Sequence, residues 1–275
     1  MGFLFDIKYI DFSLIILNFV TLNQNKLKTI FITGATSGIG KATAILLAKQ
    51  KNRIILCGRN KTVLEELKTE LSQETEVFTL SFDVRNSDEV FEAINSLPEE
   101  WKNIDVLINN AGNAHGLDSI ADGNPDDWNA MMDGNVKGLL YVSQPIIRWM
   151  KEKQNGQIIN ISSVAARQTY ANGVVYCASK RAVDVISEGM RIELTEFGIR
   201  VTNIQPGAVE TDFSKVRFKG DDVRAATVYA GYEPLIAEDI ADAIAYCINV
   251  PERVSIAEFT IYPKAQSEPR TIYRK

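Results

Sequence analysis

Short apolar runs alternate with longer stretches of helical periodicity along most of this 275-residue chain. The apolar runs predict buried strands at residues 28–33, 53–57, 77–82, 104–108, 157–161, 200–204 and 257–262. Apolar residues three and four apart predict amphipathic helices at residues 41–50, 61–72, 87–96, 126–153, 174–197 and 237–249. Because strands that alternate with such helices form right-handed βαβ units, we predict an α/β fold with one doubly wound parallel sheet and helices on both faces.

Two stretches depart from this alternation. Gly134, Asn135 and Gly138 lie inside the predicted helix 126–153, although glycine and asparagine are poor helix-interior residues. Such a local violation is expected where function takes precedence over helix propensity. Residues 210–232 mix charges without a regular pattern, and we predict that they form a mobile lid over the functional site.

The segment 1–27 precedes the first predicted strand. Its apolar run, 12–22, is interrupted by Asn18 and is too short to span a bilayer. Lys8 precedes the run as in a signal peptide, but no small-x-small cleavage pattern follows. We interpret the segment as a dispensable extension, disordered or produced from an upstream start codon, with membrane association as the alternative. Residues 28–275 are predicted to form one domain.

The composition argues against several classes of protein. The formal net charge of -5 offers no basic surface to nucleic acid. Cys57, Cys177 and Cys247 form no C-x-x-C, so they indicate reduced thiols in a cytoplasmic protein rather than disulfides or a zinc site. His115 is the only histidine, which excludes a Ser-His-Asp triad and favours an ordinary loop histidine. We expect a small-molecule substrate, and no metal, nucleic acid or membrane as a partner.

The first predicted strand leads into T-G-A-T-S-G-I-G, residues 33–40, and then into a helix. In this context Gly34 permits a tight turn, Gly38 lets the backbone approach a pyrophosphate, and Gly40 lets helix and strand pack closely. The helix N-terminus adds free N–H groups for phosphate. We therefore predict a Rossmann-type dinucleotide site, although the spacing differs from G-x-G-x-x-G. The predicted contacts in this stretch are Thr33, Gly34, Thr36, Ser37, Gly38, Ile39 and Gly40.

The next two predicted strands end in residues that suit the adenosine end of a cofactor. An NAD site places an acid about 20 residues beyond the glycines, but Arg59, followed by Asn60, stands there instead. A guanidinium suits a 2′-phosphate, so we predict NADP, with an ordinary surface arginine as the alternative. Asp83 and Val84 follow the third strand, where an adenine edge could be met.

Tyr176 and Lys180 stand four residues apart at the start of a predicted helix, so both side chains share one face. A neighbouring cation lowers the pKa of a phenol, which could then exchange a proton with an alcohol or carbonyl oxygen. A serine at the preceding strand end, Ser162 or Ser163, could hold that oxygen. Each feature also has a structural explanation, because Tyr-x-x-x-Lys is common in helices and Ser-Ser often forms a cap or turn.

Several motifs together resemble the short-chain dehydrogenase/reductases: T-G-x-x-x-G-x-G, N-N-A-G, an asparagine in the long helix, Ser-x(12)-Tyr-x-x-x-Lys and a later P-G. The resemblance extends from about residue 28 to the C-terminus. It implies a catalytic tetrad of Asn135, Ser163, Tyr176 and Lys180, in which the family's spacing favours Ser163 over Ser162. Further cofactor contacts that it implies are Asn110, Ala111, Gly112, Tyr176, Lys180, Pro206, Gly207, Val209 and Thr211.

Four shorter stretches, 97–101, 176–180, 209–222 and 262–266, resemble the NADP-dependent serine/3-hydroxy acid dehydrogenases of bacteria and yeasts. This resemblance implies oxidation of the β-hydroxyl of serine, allo-threonine or short 3-hydroxy acids by a homotetramer. A substrate carboxylate needs a cation, for which Arg167, Arg217 and Lys219 are candidates. We assign Arg217 to the substrate site together with Ser163 and Tyr176.

Three other functions remain open. The main alternative is an NADPH-dependent reductase of another carbonyl, such as a ketoacyl, sugar or xenobiotic compound. An epimerase or dehydratase would usually carry G-x-x-G-x-x-G and a larger C-terminal lobe, neither of which this sequence has. A cofactor-sensing protein without activity would be expected to lose part of the tetrad, and all four positions are present.

Overall fold

The apolar runs form seven strands in the computed structural model, which describes residues 27–275. These strands are β1 (Thr29–Thr33), β2 (Arg53–Gly58), β3 (Val77–Ser81), β4 (Val106–Asn109), β5 (Gly156–Ile161), β6 (Ile199–Pro206) and β7 (Glu258–Ile261). They pair in parallel in the order β3-β2-β1-β4-β5-β6-β7. The strand order reverses between β1 and β4, and an open sheet of this kind binds ligands at such a point. The predicted doubly wound sheet is confirmed.

Helices connect the strands and cover both faces of the sheet. They are α1 (Gly38–Lys49), α2 (Lys61–Leu71), α3 (Ser87–Asn95), α4 (Glu99–Lys102), α5 (Pro125–Met132), α6 (Gly138–Glu152), α7 (Val174–Leu194), α8 (Phe213–Arg217), α9 (Asp222–Tyr229) and α10 (Ala237–Asn249). Asparagine side chains cap three of them, since Asn60, Asn86 and Asn124 accept hydrogen bonds from the first-turn N–H groups of α2, α3 and α5. The short helix α4 was not predicted.

Alternate residues of each strand contribute to two separate cores. On β1, Ile30 and Ile32 pack with α1, α2 and α10, whereas Phe31 packs on the opposite face with α3, α6 and α7. This is the period of two that a strand imposes on its side chains. Because helices cover both faces of the sheet, the central strands are apolar on both sides. This is why these strands appear in the sequence as continuous apolar runs rather than as an alternation of apolar and polar residues.

The predicted helix 126–153 is not continuous. A π-helical turn, Asp133–Lys137, separates α5 from α6 and contains Gly134 and Asn135. Single π-turns inside α-helices are rare and occur frequently at functional sites. Gly138 begins α6, and a Cβ there would lie 2.9 Å from the side chain of Val84. The poor helix propensity of this stretch therefore corresponds to an irregular turn and a close helix approach.

The predicted lid segment, 210–232, contains the short helices α8 and α9. It contacts the loop after β4, where the N–H of Gly116 donates to the carbonyl of Arg217 at 3.0 Å. Lys219 forms an ion pair with Asp127 at 3.0 Å. Residues 1–26 lie outside the described residues, so the interpretation of the extension stays a prediction. From residue 27 onward, no helix has the length and apolarity that crossing a bilayer requires.

Candidate active site

Helix α7 brings Tyr176 and Lys180 to the carboxyl end of β5. Both side chains are buried, and the hydroxyl of Ser163 lies near enough to the Tyr176 phenol to act on its pKa. The Lys180 ammonium donates to the carbonyl of Ile161 at 2.9 Å. Ser163 also begins a short 3-10 turn, where its oxygen accepts from the N–H of Ala165 at 3.1 Å. The structure thus brings together the serine, tyrosine and lysine of the predicted tetrad.

The pKa of Tyr176 is raised well above its ordinary value, mainly by burial and further by Tyr170. The hydroxyl of Ser163 and the charge of Arg217 act in the opposite direction and lower this pKa. The prediction that Lys180 lowers this pKa is not met, because burial of the phenol outweighs the charges around it. The Lys180 ammonium is instead turned toward the end of β5.

Lys180 itself has a pKa lowered to about 8, because burial disfavours its charge, while Asp184 opposes that shift. Its Nζ atom lies 3.2 Å from where a Cβ on Gly112 would be. Gly112 follows β4, so the absence of a side chain there leaves room for the ammonium. A lysine with this pKa can hold or release a proton close to neutral pH.

Asn135 ties the π-helical turn to the loop that follows β4. Its Oδ1 accepts from the N–H of Asn113 at 2.7 Å, and its Nδ2 donates to the carbonyl of the same residue at 2.8 Å. A further bond, 2.9 Å long, joins Nδ2 to the hydroxyl of Ser179 on α7. Both amide hydrogens of Asn135 are therefore committed to protein groups. The side chain fixes the loop beside Lys180.

The glycine turn between β1 and α1 has the geometry that a dinucleotide site requires. Gly34 and Gly38 have φ values of 65° and 50°, which favour glycine. A Cβ on Gly40 would lie 2.2 Å from the carbonyl oxygen of Gly34, so only glycine allows this helix start. Ser37 is the N-cap of α1 but makes no side-chain capping bond. The first-turn N–H groups of α1 are thus available to a phosphate.

The other predicted cofactor residues divide into two groups around this turn. Thr33 accepts from the N–H groups of Asn110 at 3.0 Å and Ala111 at 2.9 Å, which locks the loops after β1 and β4 together. Thr211 lies against Gly38, its Cγ2 being 3.3 Å from a Cβ placed there. A cavity of about 740 Å³ extends from this contact along α1 to α9. Thr33, Asn110, Ala111 and Thr211 thus lie around the glycine turn.

The stretch after β6 is less directly placed at the site. Pro206 is buried within β6, and the N–H of Gly207 donates to the carbonyl of Ile261 at 2.7 Å. The carbonyl of Val209 accepts from the hydroxyl of Tyr229 at 2.8 Å. These residues support the lid and the edge of the sheet, whereas Thr211 is the one of this stretch that reaches the glycine turn.

Arg59 lies at the end of β2, as predicted, with 69% of its side chain exposed. Its nearest carboxylate oxygen is that of Asp83, 4.0 Å away. Asp83 is held instead by Arg85, whose Nε and Nη2 atoms donate at 3.0 and 2.6 Å. Partial burial would raise the pKa of Asp83, but these bonds lower it below its ordinary value. The Asp83–Arg85 pair was not predicted, although D-V-R after a strand could have indicated it.

A small cavity of about 20 Å³ lies next to the tetrad and is lined by Tyr176, Trp128, Met131 and Arg217. Its enclosed space suits a water molecule rather than an organic acid. His115 lines the same cavity, and burial lowers its pKa. The sequence had indicated an ordinary loop histidine, so its position beside the tetrad is a new finding.

The three candidate cations for a substrate carboxylate differ in their partners. Arg167 donates to Gln205 at 3.0 Å and forms a close ion pair with Glu258. Lys219 is paired with Asp127. Both side chains are therefore already engaged by protein groups.

Arg217 is anchored through two of its three guanidinium nitrogens. Nε donates to the carbonyl of Gly116 at 3.2 Å, and Nη1 donates to the hydroxyl of Tyr170 at 3.3 Å. The third nitrogen, Nη2, is buried without a hydrogen-bond partner. The guanidinium carbon lies 5.6 Å from the centre of the Tyr176 ring. Tyr170 and Gly116 were missed from the sequence, because nothing in their local pattern links them to residue 217.

This combination of sheet, glycine turn and tetrad agrees with the comparison to known families. The family model described as short chain dehydrogenase matches residues 28–222. The chain therefore belongs to the short-chain dehydrogenase family, and the resemblance inferred from its motifs is confirmed.

Within this family, the chain is similar to several dehydrogenases that act with NADP or on serine. The chain is 41% identical over 251 residues to the NADP-dependent 3-hydroxy acid dehydrogenase of Schizosaccharomyces pombe, covering 90% of this chain and 97% of the relative. A closed form of serine dehydrogenase complexed with NADP+ has 38% identity and a TM-score of 0.84, and the match covers 90% of this chain and all of that one. The serine dehydrogenase of Escherichia coli has 35% identity and a TM-score of 0.75, covering 87% and 99% of the two chains.

Proposed function

We propose that this protein transfers a hydride between NADP and the β-hydroxyl carbon of a short 3-hydroxy acid. Serine, allo-threonine, 3-hydroxypropionate and 3-hydroxyisobutyrate are the substrates that fit this class. The observation that carries the proposal is the unpartnered, buried Nη2 of Arg217 beside the Tyr176 ring. A buried guanidinium nitrogen without a partner is costly, and a carboxylate is the group it binds best.

The distances support a short acid. Arg217 would hold the carboxylate, and Ser163 and Tyr176 would hold the β-hydroxyl, with 5.6 Å between the guanidinium carbon and the phenol ring. Because the enclosed cavity is about 20 Å³, the substrate enters only if the lid segment is displaced. The contacts from Arg217 to Gly116 and from Lys219 to Asp127 would break and re-form in each cycle.

The cofactor assignment follows the chemistry of the residues around the glycine turn. The N-terminus of α1 would bind the pyrophosphate, Arg59 the 2′-phosphate, and Asp83 with Val84 the adenine edge. NADP, when bound, supplies the hydride acceptor or donor. We propose that the remaining residues predicted for the cofactor site also contact NADP. These are Thr33, Thr36, Ser37, Ile39, Asn60, Asn110, Ala111, Gly112, Pro206, Gly207, Val209 and Thr211.

The proton would move through the buried side chains of the tetrad. Tyr176 would take the proton from the β-hydroxyl during oxidation, and Ser163 would hold the same oxygen. Since burial raises the pKa of Tyr176, this phenol is protonated at neutral pH and suits the reverse reaction, in which it donates. Lys180 would exchange the proton with solvent, and Asn135 would keep the loop beside it in place.

A panel of hydroxy acids tests the proposal, with oxidation followed by the absorbance of reduced NADP. Each acid is paired with its amide, which keeps the alcohol and loses the negative charge. We expect Arg217→Met to lower kcat/KM for the acids by about 10- to 100-fold, since a hydrogen bond to a charged group contributes roughly 1.5–3 kcal/mol. The amides should lose little.

Arg224→Met is the matched control, because Arg224 is a lid cation that packs on Phe218 and lines neither cavity. This variant should behave as the wild type with every substrate. Equal use of acids and amides by the wild-type protein would contradict the proposal. It would favour the alternative, a reductase of uncharged carbonyl compounds.

We also propose that the protein is a cytoplasmic homotetramer. Apolar side chains on the outer surfaces of two helices support self-association: Leu140 on α6, and Val185 and Ile192 on α7, are exposed. The free, buried Cys57, Cys177 and Cys247 support a reducing compartment. Light scattering would measure the mass, and Val185→Asp should produce smaller species if this surface is an interface.

A further inference from the structure

A buried carboxylate outside the tetrad lies one helical turn beyond Lys180. Asp184 has 7% of its side chain exposed, and its Oδ1 accepts from the hydroxyl of Ser162 at 2.7 Å and from Nδ2 of Asn203 at 2.7 Å. Gln205 donates to the other oxygen at 3.2 Å. Buried charges of this kind are rare unless they are paired or well hydrogen-bonded. Three neutral donors satisfy this carboxylate, one directly after β5 and two on β6.

The end of β5 is tied to α7 at three successive residues. The carbonyl of Ile161 accepts from Lys180. The hydroxyl of Ser162 donates to Asp184 and lies 3.1 Å from the carbonyl of Lys180. The hydroxyl of Ser163 is near the Tyr176 phenol and acts on its pKa. Asp184 holds the middle residue of the three. A change there would loosen both neighbours, one of which accepts from the tetrad lysine while the other is the tetrad serine.

We propose that Asp184 is a positioning residue for the reaction: its carboxylate anchors Ser162 between two tetrad contacts and keeps the ammonium of Lys180 charged. The electrostatic part of the proposal rests on the i, i+4 spacing, which puts the two side chains on one helix face, and on the burial of both side chains. The consequence for turnover rests on the proposed function.

The surroundings of Lys180 contain no other negative group among the described residues. Burial lowers the pKa of Lys180, and Asp184 is the charge that raises it. From the packed elements, Ile161 presents a carbonyl, and the loop around Gly112 and the amide of Asn135 present neutral atoms. On α7 itself, the phenol of Tyr176 is kept neutral by burial. Among the described residues, Asp184 is therefore the carboxylate that favours the charged form of Lys180, with no second carboxylate adding to its effect.

One cation faces Asp184 from its own helix. Arg181 lies 3.8 Å from Oδ2, but 60% of its side chain is exposed, so solvent screens most of its effect. The buried carboxylate thus acts mainly on the buried ammonium.

Two variants separate the two roles. Asp184→Asn keeps the shape and an acceptor for Ser162 but removes the charge, whereas Ser162→Ala removes the anchor and keeps the charge. Lysine labelled with 13C at Cε reports each ammonium by NMR, and the Lys180 signal is assigned by its loss in Lys180→Arg. We expect the Lys180 titration midpoint in Asp184→Asn to fall by about one pH unit or more, the size of a close charge interaction, and to stay unchanged in Ser162→Ala.

The same variants are compared in the dependence of kcat/KM on pH. Asp184→Asn should lose activity on the alkaline side at a lower pH than the wild type, because Lys180 becomes neutral earlier. Ser162→Ala should lower kcat by a similar factor at every pH, and Asp184→Glu should restore the wild-type profile. A merely structural role would lower thermal stability without moving the profile.

An unchanged Lys180 midpoint in folded Asp184→Asn would overturn the inference. If that variant does not fold, Asp184→Ser removes the same charge, and an unchanged Lys180 midpoint in it would also overturn the inference. A shifted midpoint in a protein that oxidises no hydroxy acid would refute the proposed function and leave the electrostatic inference intact. An active enzyme whose Lys180 midpoint does not shift in Asp184→Asn would support the proposed function and refute the electrostatic inference.

Discussion

The cofactor end of the site, at the glycine turn, and the substrate end, at Arg217, are formed by different kinds of groups. At the glycine turn, backbone conformation decides the geometry: Gly34 has a φ of 65°, and Gly40 approaches the Gly34 carbonyl too closely for any side chain. At the substrate end, side chains from separate segments decide it, since Arg217 is held by Gly116 and Tyr170. The first arrangement is local in sequence, whereas the second spans about a hundred residues, as the 101-residue separation of Gly116 and Arg217 shows.

This difference indicates where amino-acid substitutions should be tolerated. A backbone cradle fails when a single methyl group is added, because no rotamer can relieve the contact. A pocket of side chains can change its ligand through one substitution while the sheet beneath stays intact. The predictions below test whether the two ends respond separately.

The largest effect is expected where the two ends meet, at Tyr176. Tyr176→Phe should lower kcat by about a hundredfold or more, the usual size of an acid–base contribution. Because burial raises the pKa of Tyr176, the phenol is protonated at neutral pH, so the wild-type rate of oxidation should rise as pH increases. Stopped-flow measurement of reduced NADP gives both quantities.

Tyr141→Phe is the control for this substitution, since Tyr141 packs against Phe91 away from the tetrad. It should have a normal rate. A near-normal rate in Tyr176→Phe, or an oxidation rate independent of pH, would end the proposed mechanism.

A methyl group at Gly40 should damage the cofactor end through the backbone. The added Cβ would lie 2.2 Å from the Gly34 carbonyl oxygen, and overpacking typically costs about 1–3 kcal/mol. Gly40→Ala should therefore lower the free energy of unfolding and weaken NADPH binding, both measured by fluorescence. Gly189→Ala is the matched control, because that α7 glycine has open space, and alanine there should stabilise the helix by up to about 1 kcal/mol.

Arg59→Ala should act on the cofactor end through charge alone. Arg59 is largely exposed, so we expect about a tenfold rise in KM for NADP and little change for NAD. Steady-state kinetics with both cofactors measure the ratio. Lys61→Ala, two residues further along, should leave it unchanged. Equal efficiency with NAD and NADP in the wild type would show that Arg59 is an ordinary surface residue.

Tyr170→Phe should affect the substrate end and spare the cofactor end. It removes the hydroxyl that accepts from Arg217, and a hydrogen bond contributes about 0.5–1.5 kcal/mol. We expect KM for the hydroxy acid to rise by roughly two- to tenfold while KM for NADP stays constant. A parallel rise in both constants would mean that the two ends are coupled through the lid.

The smallest effect is expected for the N-terminal extension. Deletion of residues 1–26 should leave kcat/KM and the thermal midpoint unchanged, because β1 begins at Thr29. Thermal unfolding and steady-state kinetics of the shortened chain provide the measurement. Loss of activity or of solubility would show that the extension belongs to the working protein.

Local pattern was sufficient for the sheet, most helices and the cofactor end. Apolar runs identified the seven strands of the described part of the chain. The five inner strands of the sheet are buried on both faces, so they can be recognised without the rest of the chain. The glycine turn was equally readable, since its geometry depends on residues within one turn of each other. Gly134 and Asn135 also indicated an irregular stretch at the position of the π-helical turn, although its conformation was not predicted.

Only the tertiary structure decided which side chains meet. Sequence spacing placed Lys180 on the same helix face as Tyr176, yet its ammonium bonds to Ile161 on a neighbouring strand. Sequence offered three cations for a carboxylate, and among them Arg217 has a buried nitrogen without a hydrogen-bond partner, whereas Arg167 and Lys219 pair with carboxylates of distant segments. Periodicity records which residues are buried, whereas hydrogen-bond partners and charge fields depend on segments far apart in the chain, and those are brought together only by folding.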